Sequence, residues 1–395
     1  MNRIGVAQMV NLFDRFSQVF GYDTNIKTYF SPGRINLIGE HIDYSGGLVF
    51  PAAIQLGTYG AVAKRTDSSF RFYSDNFENE GIIHATIKDL LYRKEDGWAN
   101  YAKGVILELI ERGFNISHGF DLYVNGTLPT ASGLSSSASI ELLISWICND
   151  MFSLNLSRQY LAMLSQHIEN NYMGMHCGIM DQLIIAEGLK DRALLMNTAT
   201  LETTPVKAKF DGFDWVIMNT NNKRKTTDSK YNERRSECDQ ALIELKKFID
   251  VEYLCELTED DFLKFGHSLS STLLFRRAKH AITEQSRTLK AKIALENQDA
   301  MTFAQLLNES HASLRFDYEV TGIHLDTIVS EALKNGAIGA RVTGAGFGGC
   351  AIALVPTSKM NQFSSEVGNA YQKITGIHAD FYQVTFENGV NSYED

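Results

Sequence analysis

Apolar and polar positions along the chain alternate between two periods, and the changes of period mark out its elements. From Val6 to Phe20 the residues Val6, Met9, Val10, Phe13, Phe16 and Phe20 recur at helical spacing, which predicts an amphipathic N-terminal helix. Strand-like runs follow at about 27–31, 48–64, 68–74 and 118–126, between helical patterns at about 97–112, 135–152 and 157–172. Runs from Arg192 to Asn197 and from Phe213 to Asn219 predict passage into a second sheet. Helices are then expected near 231–248, 272–296, 301–318 and 324–335, followed by a glycine loop, a strand at 350–355, a helix at 358–374 and a last strand at 377–386. This order predicts an α+β chain of two domains, 1–209 and 210–395, with ligands in the cleft between them.

Composition narrows the class. The 395 residues are 44% hydrophobic, enough for two cores, and carry only 5 prolines, so linkers and disordered tails are not expected. A formal charge of −10 argues against nucleic acid as a partner, and the local basic run Lys223–Lys230, continued by Arg234 and Arg235, reads as a solvated loop and helix start. The 5 cysteines show no paired or metal-binding spacing and suggest free thiols in a reducing compartment, with Cys148 and Cys350 as core residues. No basic leader precedes an apolar core, and no apolar stretch approaches the roughly 20 residues that span a bilayer. A cytoplasmic protein without membrane contacts is expected.

Three segments carry candidate chemistry. Gly33-Arg34-Ile35-Asn36-Leu37-Ile38-Gly39-Glu40-His41-Ile42-Asp43-Tyr44 crowds a guanidinium, two carboxylates, an imidazole and a phenol among apolar residues. That crowding suits either a structural ion-pair cluster or a site for a ligand with many hydroxyls, such as a sugar. The run Leu128-Pro129-Thr130-Ala131-Ser132-Gly133-Leu134-Ser135-Ser136-Ser137-Ala138-Ser139 lies between a strand and an apolar helix. Unpaired amides and the positive end of the helix dipole there would face an anion, and the small side chains exceed what an N-cap needs, which favours phosphate. Thr343-Gly344-Ala345-Gly346-Phe347-Gly348-Gly349-Cys350 satisfies G-x-G-x-x-G, but a strand follows it where a dinucleotide fold needs a helix. It reads as a loop whose backbone comes very close to another segment or to a ligand. Neither a P-loop nor a protein-kinase motif set occurs.

Together these segments resemble the three motifs of the GHMP small-molecule kinases, and the first resembles that of the branch that phosphorylates galactose. The stretches Gly97–Val105, Cys177–Gln182 and Tyr231–Cys238 extend the resemblance over roughly residues 20 to 355. It implies a GHMP-kinase-like pair of domains, a mixed-sheet N-terminal one and an α/β C-terminal one, and transfer of phosphate from ATP with Mg²⁺ to the anomeric hydroxyl of galactose. Arg34 and Asp181 match the catalytic pair; Glu40, His41, Asp43, Gly178 and Tyr231 match sugar-holding positions. Gly133, Leu134, Ser135, Ser136, Ser137 and Ala138 match the phosphate loop, Trp98 and Tyr101 a stretch of the nucleotide pocket, and Gly344, Gly346 and Gly348 the closing loop. Ser137 and Glu169 match metal-holding positions. Phosphoryl transfer asks mainly for positioning and charge neutralisation, with a carboxylate to take the hydroxyl proton; Asp181 is the candidate, with Arg34 beside it. Ile42 and Ser45 stand where the branch often has Thr and Asn, Ser132 replaces a common glycine, and His176 occupies a variable position. A kinase for N-acetylgalactosamine or another sugar, and a silent galactose- and ATP-binding sensor, are the alternatives. A monomer is expected, a weak homodimer being the alternative.

Overall fold

The computed structural model describes residues 3–129, 132–222 and 227–393. Three sheets and eleven α-helices lie within these residues. A six-stranded sheet is built on Lys27–Asn36 and Pro51–Lys64, which pair antiparallel, and Phe120–Gly126 joins them. One parallel pair, Ser69–Ser74 with Phe120–Gly126, makes the sheet mixed. Lys27–Asn36 is buried at every residue after the first, as a strand covered on both faces must be. Its register with Pro51–Lys64 shifts between Pro32 and Gly33, one residue before Arg34. Such an irregularity re-aims the side chains that follow it.

The chain enters a four-stranded sheet at Phe213–Asn219, which pairs with Cys350–Pro356 and Asp380–Gln383. The fourth strand, Gly339–Val342, pairs antiparallel with Cys350–Pro356. It was not expected, and it makes the third glycine loop the turn of a hairpin. The last strand, Asn391–Tyr393, was not expected either; it returns to pair with Lys27–Asn36. A small third sheet, Leu48–Val49 with Arg192–Asn197 and Thr203–Lys207, stands beside the others.

Most helices begin and end within a few residues of expectation, including Ala99–Glu111, Ser136–Met151, Arg158–Asn171 and Thr272–Glu296. Ser157 and Ser271 cap the last two through their hydroxyls. Helix Met180–Glu187 is an addition to the expected set, as is Glu259–Phe265. The expected final strand, 377–386, shortens to Asp380–Gln383 because the chain turns back to the first sheet, where Ile54 bridges Phe386. The N-terminal helix Arg3–Phe20 packs Leu12, Phe16 and Phe20 against Phe30, Tyr59 and Tyr123. Val6, Met9 and Val10 lie outside the residues whose side chains are described.

The largest core cluster runs from Ile42 and Val49 through helix Met180–Glu187 to Val342 and Val367, so it joins the two larger sheets. Cys148 and Cys350 are buried in apolar clusters, as expected. Residues 223–226 of the basic run lie outside the described residues. Arg234 and Arg235 are not solvated as expected: Arg234 is buried and donates to the Tyr318 carbonyl and Glu237, and Arg235 donates to the carbonyls of His176 and Cys177. Among the described residues, no helix is long and apolar enough to cross a membrane.

Candidate active site

The three motifs converge on one cavity of about 600 Å³. The Arg34 amide donates to the Leu134 carbonyl at 3.2 Å, and its Nη1 donates to the Gly133 carbonyl at 2.6 Å. The third loop closes over the second. Gly344 (φ +77°) faces the Gly133 carbonyl, and a Cβ there would stand 2.4 Å from that oxygen. Both the positive φ and the contact require glycine. The close approach expected of this loop is therefore to another chain segment.

On the cavity floor, Arg34 grips Asp181 with a two-pronged fork: Nε to Oδ1 at 2.9 Å and Nη2 to Oδ2 at 2.8 Å. Asp181 stands in the first turn of helix Met180–Glu187, where the helix dipole favours a negative charge. The Ser135 hydroxyl also donates to Asp181. Ser135 is the N-cap of helix Ser136–Met151 but makes no capping bond with its side chain. The first turn of that helix therefore lacks a side-chain acceptor at the cavity wall, as an anion site needs.

On the other side lie Glu40, His41, Asp43, Gly178 and Tyr231. Glu40 is buried; its carboxylate accepts from the wholly buried Arg341 and, at 3.0 Å, from the Gly344 amide. Burial pushes this carboxyl up, and the Arg341 guanidinium and the amide pull it back. Asp43 is pushed up to about 7, first by burial and then by the charges of Asp181 and Glu40. A Cβ on Gly178 would come within 2.0 Å of its carboxylate, so glycine is what allows the loop to lie against Asp43. Burial lowers His41 to about 3, so its ring is neutral. Both ring nitrogens are engaged within the protein, Nδ1 with the Tyr44 hydroxyl at 2.8 Å and Nε2 with the Ala345 carbonyl at 3.1 Å.

Backbone strain touches the site as well, although most of the non-glycine residues with positive φ lie elsewhere in the chain. His41, Ser135 and Phe347 all have φ near +60° without being glycine. A residue held in that region costs roughly 1–3 kcal/mol and persists only when its surroundings fix it.

Of the other candidate residues, Gly133, Ser135, Ser136, Ser137, Tyr101, Glu169 and Gly344 also line the cavity. Other expected residues do not. Trp98 packs against Phe72 in an apolar cluster. Leu134 and Ala138 are buried core residues outside the cavity lining. Gly346 lies against the Val320 carbonyl instead, and Gly348 is not a lining residue. Met175, Cys177, Met180, Ser229 and Ala345 line the cavity without having been singled out. Their only sequence signal is adjacency to motif residues. Arg341 was missed as well, since a lone arginine in a short apolar run carries no signal of a buried partner.

Matches to known families follow the same three segments. Residues 14–64 match the galactokinase galactose-binding signature, 100–188 the GHMP kinase N-terminal domain and 291–373 the GHMP kinase C-terminal domain. The galactokinase of Enterococcus faecalis is 49% identical over 379 residues, which cover 96% of this chain and 98% of that one. The chain belongs to the galactokinases. Another galactokinase, from Clostridium acetobutylicum, is 48% identical over 383 residues, 96% of this chain and 98% of that one. The crystal structure of Lactococcus lactis galactokinase complexed with galactose superposes with a TM-score of 0.95 at 43% identity, covering 97% of this galactokinase chain and 99% of that one. Methanococcus jannaschii mevalonate kinase, with a TM-score of 0.67 at 16% identity over 93% of this chain and 100% of its own, shares the fold.

A divalent cation fits the donors at the phosphate end. Glu169 is buried, pushed up to about 7 chiefly by burial, and bonded to the Ser137 hydroxyl and, at 2.6 Å, to Gln182 Nε2. One helical turn beyond Ser137, both oxygens of buried Glu141 lack a partner, and its carboxyl is pushed well up by burial and by Glu169. A hydroxyl and a carboxylate, Ser137 and Glu169, on an open cavity wall suit Mg²⁺, which keeps water and substrate phosphates in its shell. No cluster of three or more acidic, histidine or cysteine ligands occurs among the described residues, so a closed protein cage is not what is offered.

Proposed function

We propose that this galactokinase binds galactose and ATP side by side in the cavity and transfers the γ-phosphoryl group to the anomeric hydroxyl, giving galactose 1-phosphate and ADP. The observation that carries the reading is the Arg34–Asp181 fork. It stands between a wall of sugar-sized polar groups and an uncapped helix N-terminus. Glu40, His41, Asp43, Gly178 and Tyr231 form the sugar side. Gly133 and Ser135 to Ser137 form the phosphate side, with Tyr101 towards the nucleotide. In the reaction the hydroxyl oxygen bonds to phosphorus, the bond to the bridging oxygen of ADP breaks, and the hydroxyl proton passes to the Asp181 carboxylate. Arg34 fixes the orientation of that carboxylate and sets positive charge beside the transferring oxygens. Ser137 and Glu169 are the residues that would hold Mg²⁺, which when bound neutralises phosphate charge. Residues 1–209 and 210–395 act as the two domains in this reading.

Ile42 and Ser45 do not favour a different sugar. Both are buried, Ile42 completely, and neither lines the cavity. The reading is tested by coupled ADP release with Mg-ATP against galactose, N-acetylgalactosamine, glucose and mevalonate. Turnover with galactose is the expected result. Turnover only with N-acetylgalactosamine, or binding of galactose and ATP without ADP release, would overturn it.

A further inference from the structure

From His41 on the sugar side, a file of side chains runs back to Cys238, and those behind His41 have no part in the reaction. Cys238 Sγ lies 3.0 Å from the Tyr318 hydroxyl, which lies 2.7 Å from the Tyr44 hydroxyl, which lies 2.8 Å from His41 Nδ1. The far ring nitrogen, Nε2, is 3.1 Å from the Ala345 carbonyl. His41, Tyr318 and Cys238 are each at most 3% exposed, and the half-buried Tyr44 places its hydroxyl between His41 and Tyr318.

The last acceptor sets the direction of every bond. A carbonyl oxygen only accepts, so the Ala345 contact requires a proton on Nε2. In a neutral imidazole Nδ1 is then bare and accepts from Tyr44. Tyr44 has one hydrogen and has given it, so Tyr318 donates to Tyr44. Tyr318 has likewise given its hydrogen, and the Cys238 thiol donates to Tyr318. We propose that Tyr44 and Tyr318 are positioning residues that lock His41 in its Nε2–H tautomer, making it a latch that holds the Ala345 carbonyl of the third glycine loop against the sugar side of the cavity. The segment that carries Tyr318 is tied to the same loop a second time, since the Val320 carbonyl accepts from the Phe347 amide at 2.6 Å. Arg234 in turn fixes that segment through the Tyr318 carbonyl at 2.9 Å. His41 thus reaches the sugar through Ala345, and its own nitrogens are spent on the latch. This rests on the galactose site proposed above.

The test combines one spectroscopic and one kinetic readout. In the full-length protein labelled with ¹⁵N-histidine, His41, assigned by loss of its signals in His41→Gln, is expected as a neutral Nε2–H ring from pH 5 to 8. In Tyr44→Phe the bare Nδ1 loses its donor; mixed tautomers are expected, with a galactose KM raised about tenfold, the worth of one hydrogen bond, and an ATP KM unchanged within about twofold. Tyr318→Phe is expected to move both readouts the same way by less. A wild-type ring with its proton on Nδ1, or one that takes up a second proton near its ordinary pKa, overturns the proposal whether or not the variants fold. An unchanged galactose KM in a folded Tyr44→Phe overturns it as well. Absence of galactose turnover by the wild type would instead sink the galactose reading, and the tautomer would still be decided by the spectrum.

Discussion

Arg34 and Asp181 meet through two parallel bonds, Nε–Oδ1 at 2.9 Å and Nη2–Oδ2 at 2.8 Å, and a third guanidinium nitrogen is tied to the Gly133 carbonyl. The carboxylate is thus held by a planar fork anchored at Gly133, and its orientation depends on the fork's shape as well as its charge. Asp181→Asn keeps the size and removes the proton acceptor. It is expected to lower kcat by at least about 10²-fold, the typical contribution of a general base, with the galactose KM changed far less. Coupled ADP release measures both. Near-normal kcat in the variant would remove Asp181 from the role of base. Arg34→Lys keeps the charge but loses the fork, and is expected to fall in kcat as well.

Arg341 is wholly buried and holds Glu40 together with the Leu37 carbonyl. It thereby ties the strand Gly339–Val342 to the first motif. Arg341→Met leaves the Glu40 carboxylate buried without its counter-charge, a change that costs about 3–5 kcal/mol. Urea unfolding is expected to show that loss, with the m-value unchanged. The double variant Arg341→Met, Glu40→Gln is expected to recover part of it, because the stranded charge is gone. Equal stability of the wild type and Arg341→Met would show that the pair contributes nothing to the fold.

The candidate site was legible wherever chemistry clusters in the sequence and illegible wherever backbone or a solitary residue does the positioning. Arg34, Glu40, His41 and Asp43 stand within ten residues of each other, and all four line the cavity. Helix Met180–Glu187, which carries Asp181, escaped because six of its eight residues are buried, which erases the one-sided period that reveals a helix. The strand Gly339–Val342 escaped for a related reason. It is four residues long and buried throughout, with an arginine interrupting its apolar run. For Trp98 the converse holds: position in a recognisable stretch says nothing about how a ring packs, and this one lies edge-on to Phe72. His41 was legible as a candidate residue, but its link to Tyr318 and Ala345 was not, since both lie far from it in the chain.

Asp43 makes the stability of the free protein depend on pH with a definite sign. Its carboxyl is raised from 3.8 to about 7, so between those values the folded chain holds a proton that the unfolded chain has released. Where the folded state binds more protons, stability falls as pH rises. The contribution is therefore greatest below about pH 4 and declines up to about pH 7, above which it is level. Glu169, also raised to about 7, adds a slope of the same sign. Asp43→Asn removes one of these contributions. Urea midpoints at pH 4.5, 6 and 8 are expected to fall less steeply in the variant than in the wild type; parallel profiles would mean that Asp43 does not hold its proton in the folded state.

Glu169 offers the last test, because its bonded neighbours assign it different work. Gln182 Nε2 at 2.6 Å only positions it, whereas the Ser137 hydroxyl brings it to the helix end where phosphates are expected. If Glu169 holds the cation, Glu169→Gln, which keeps the shape and removes the charge, should raise the Mg²⁺ concentration for half-maximal turnover by about tenfold or more. At saturating Mg²⁺ the galactose KM should stay near the wild-type value, since the sugar side is untouched. The wild type should also need less Mg²⁺ at pH 8 than at pH 6, because a carboxyl raised to about 7 must give up its proton before it can take a cation. That pH dependence should shrink in the variant. An unshifted Mg²⁺ requirement in Glu169→Gln would leave the residue as a strut between Ser137 and Gln182 and move the cation to other donors.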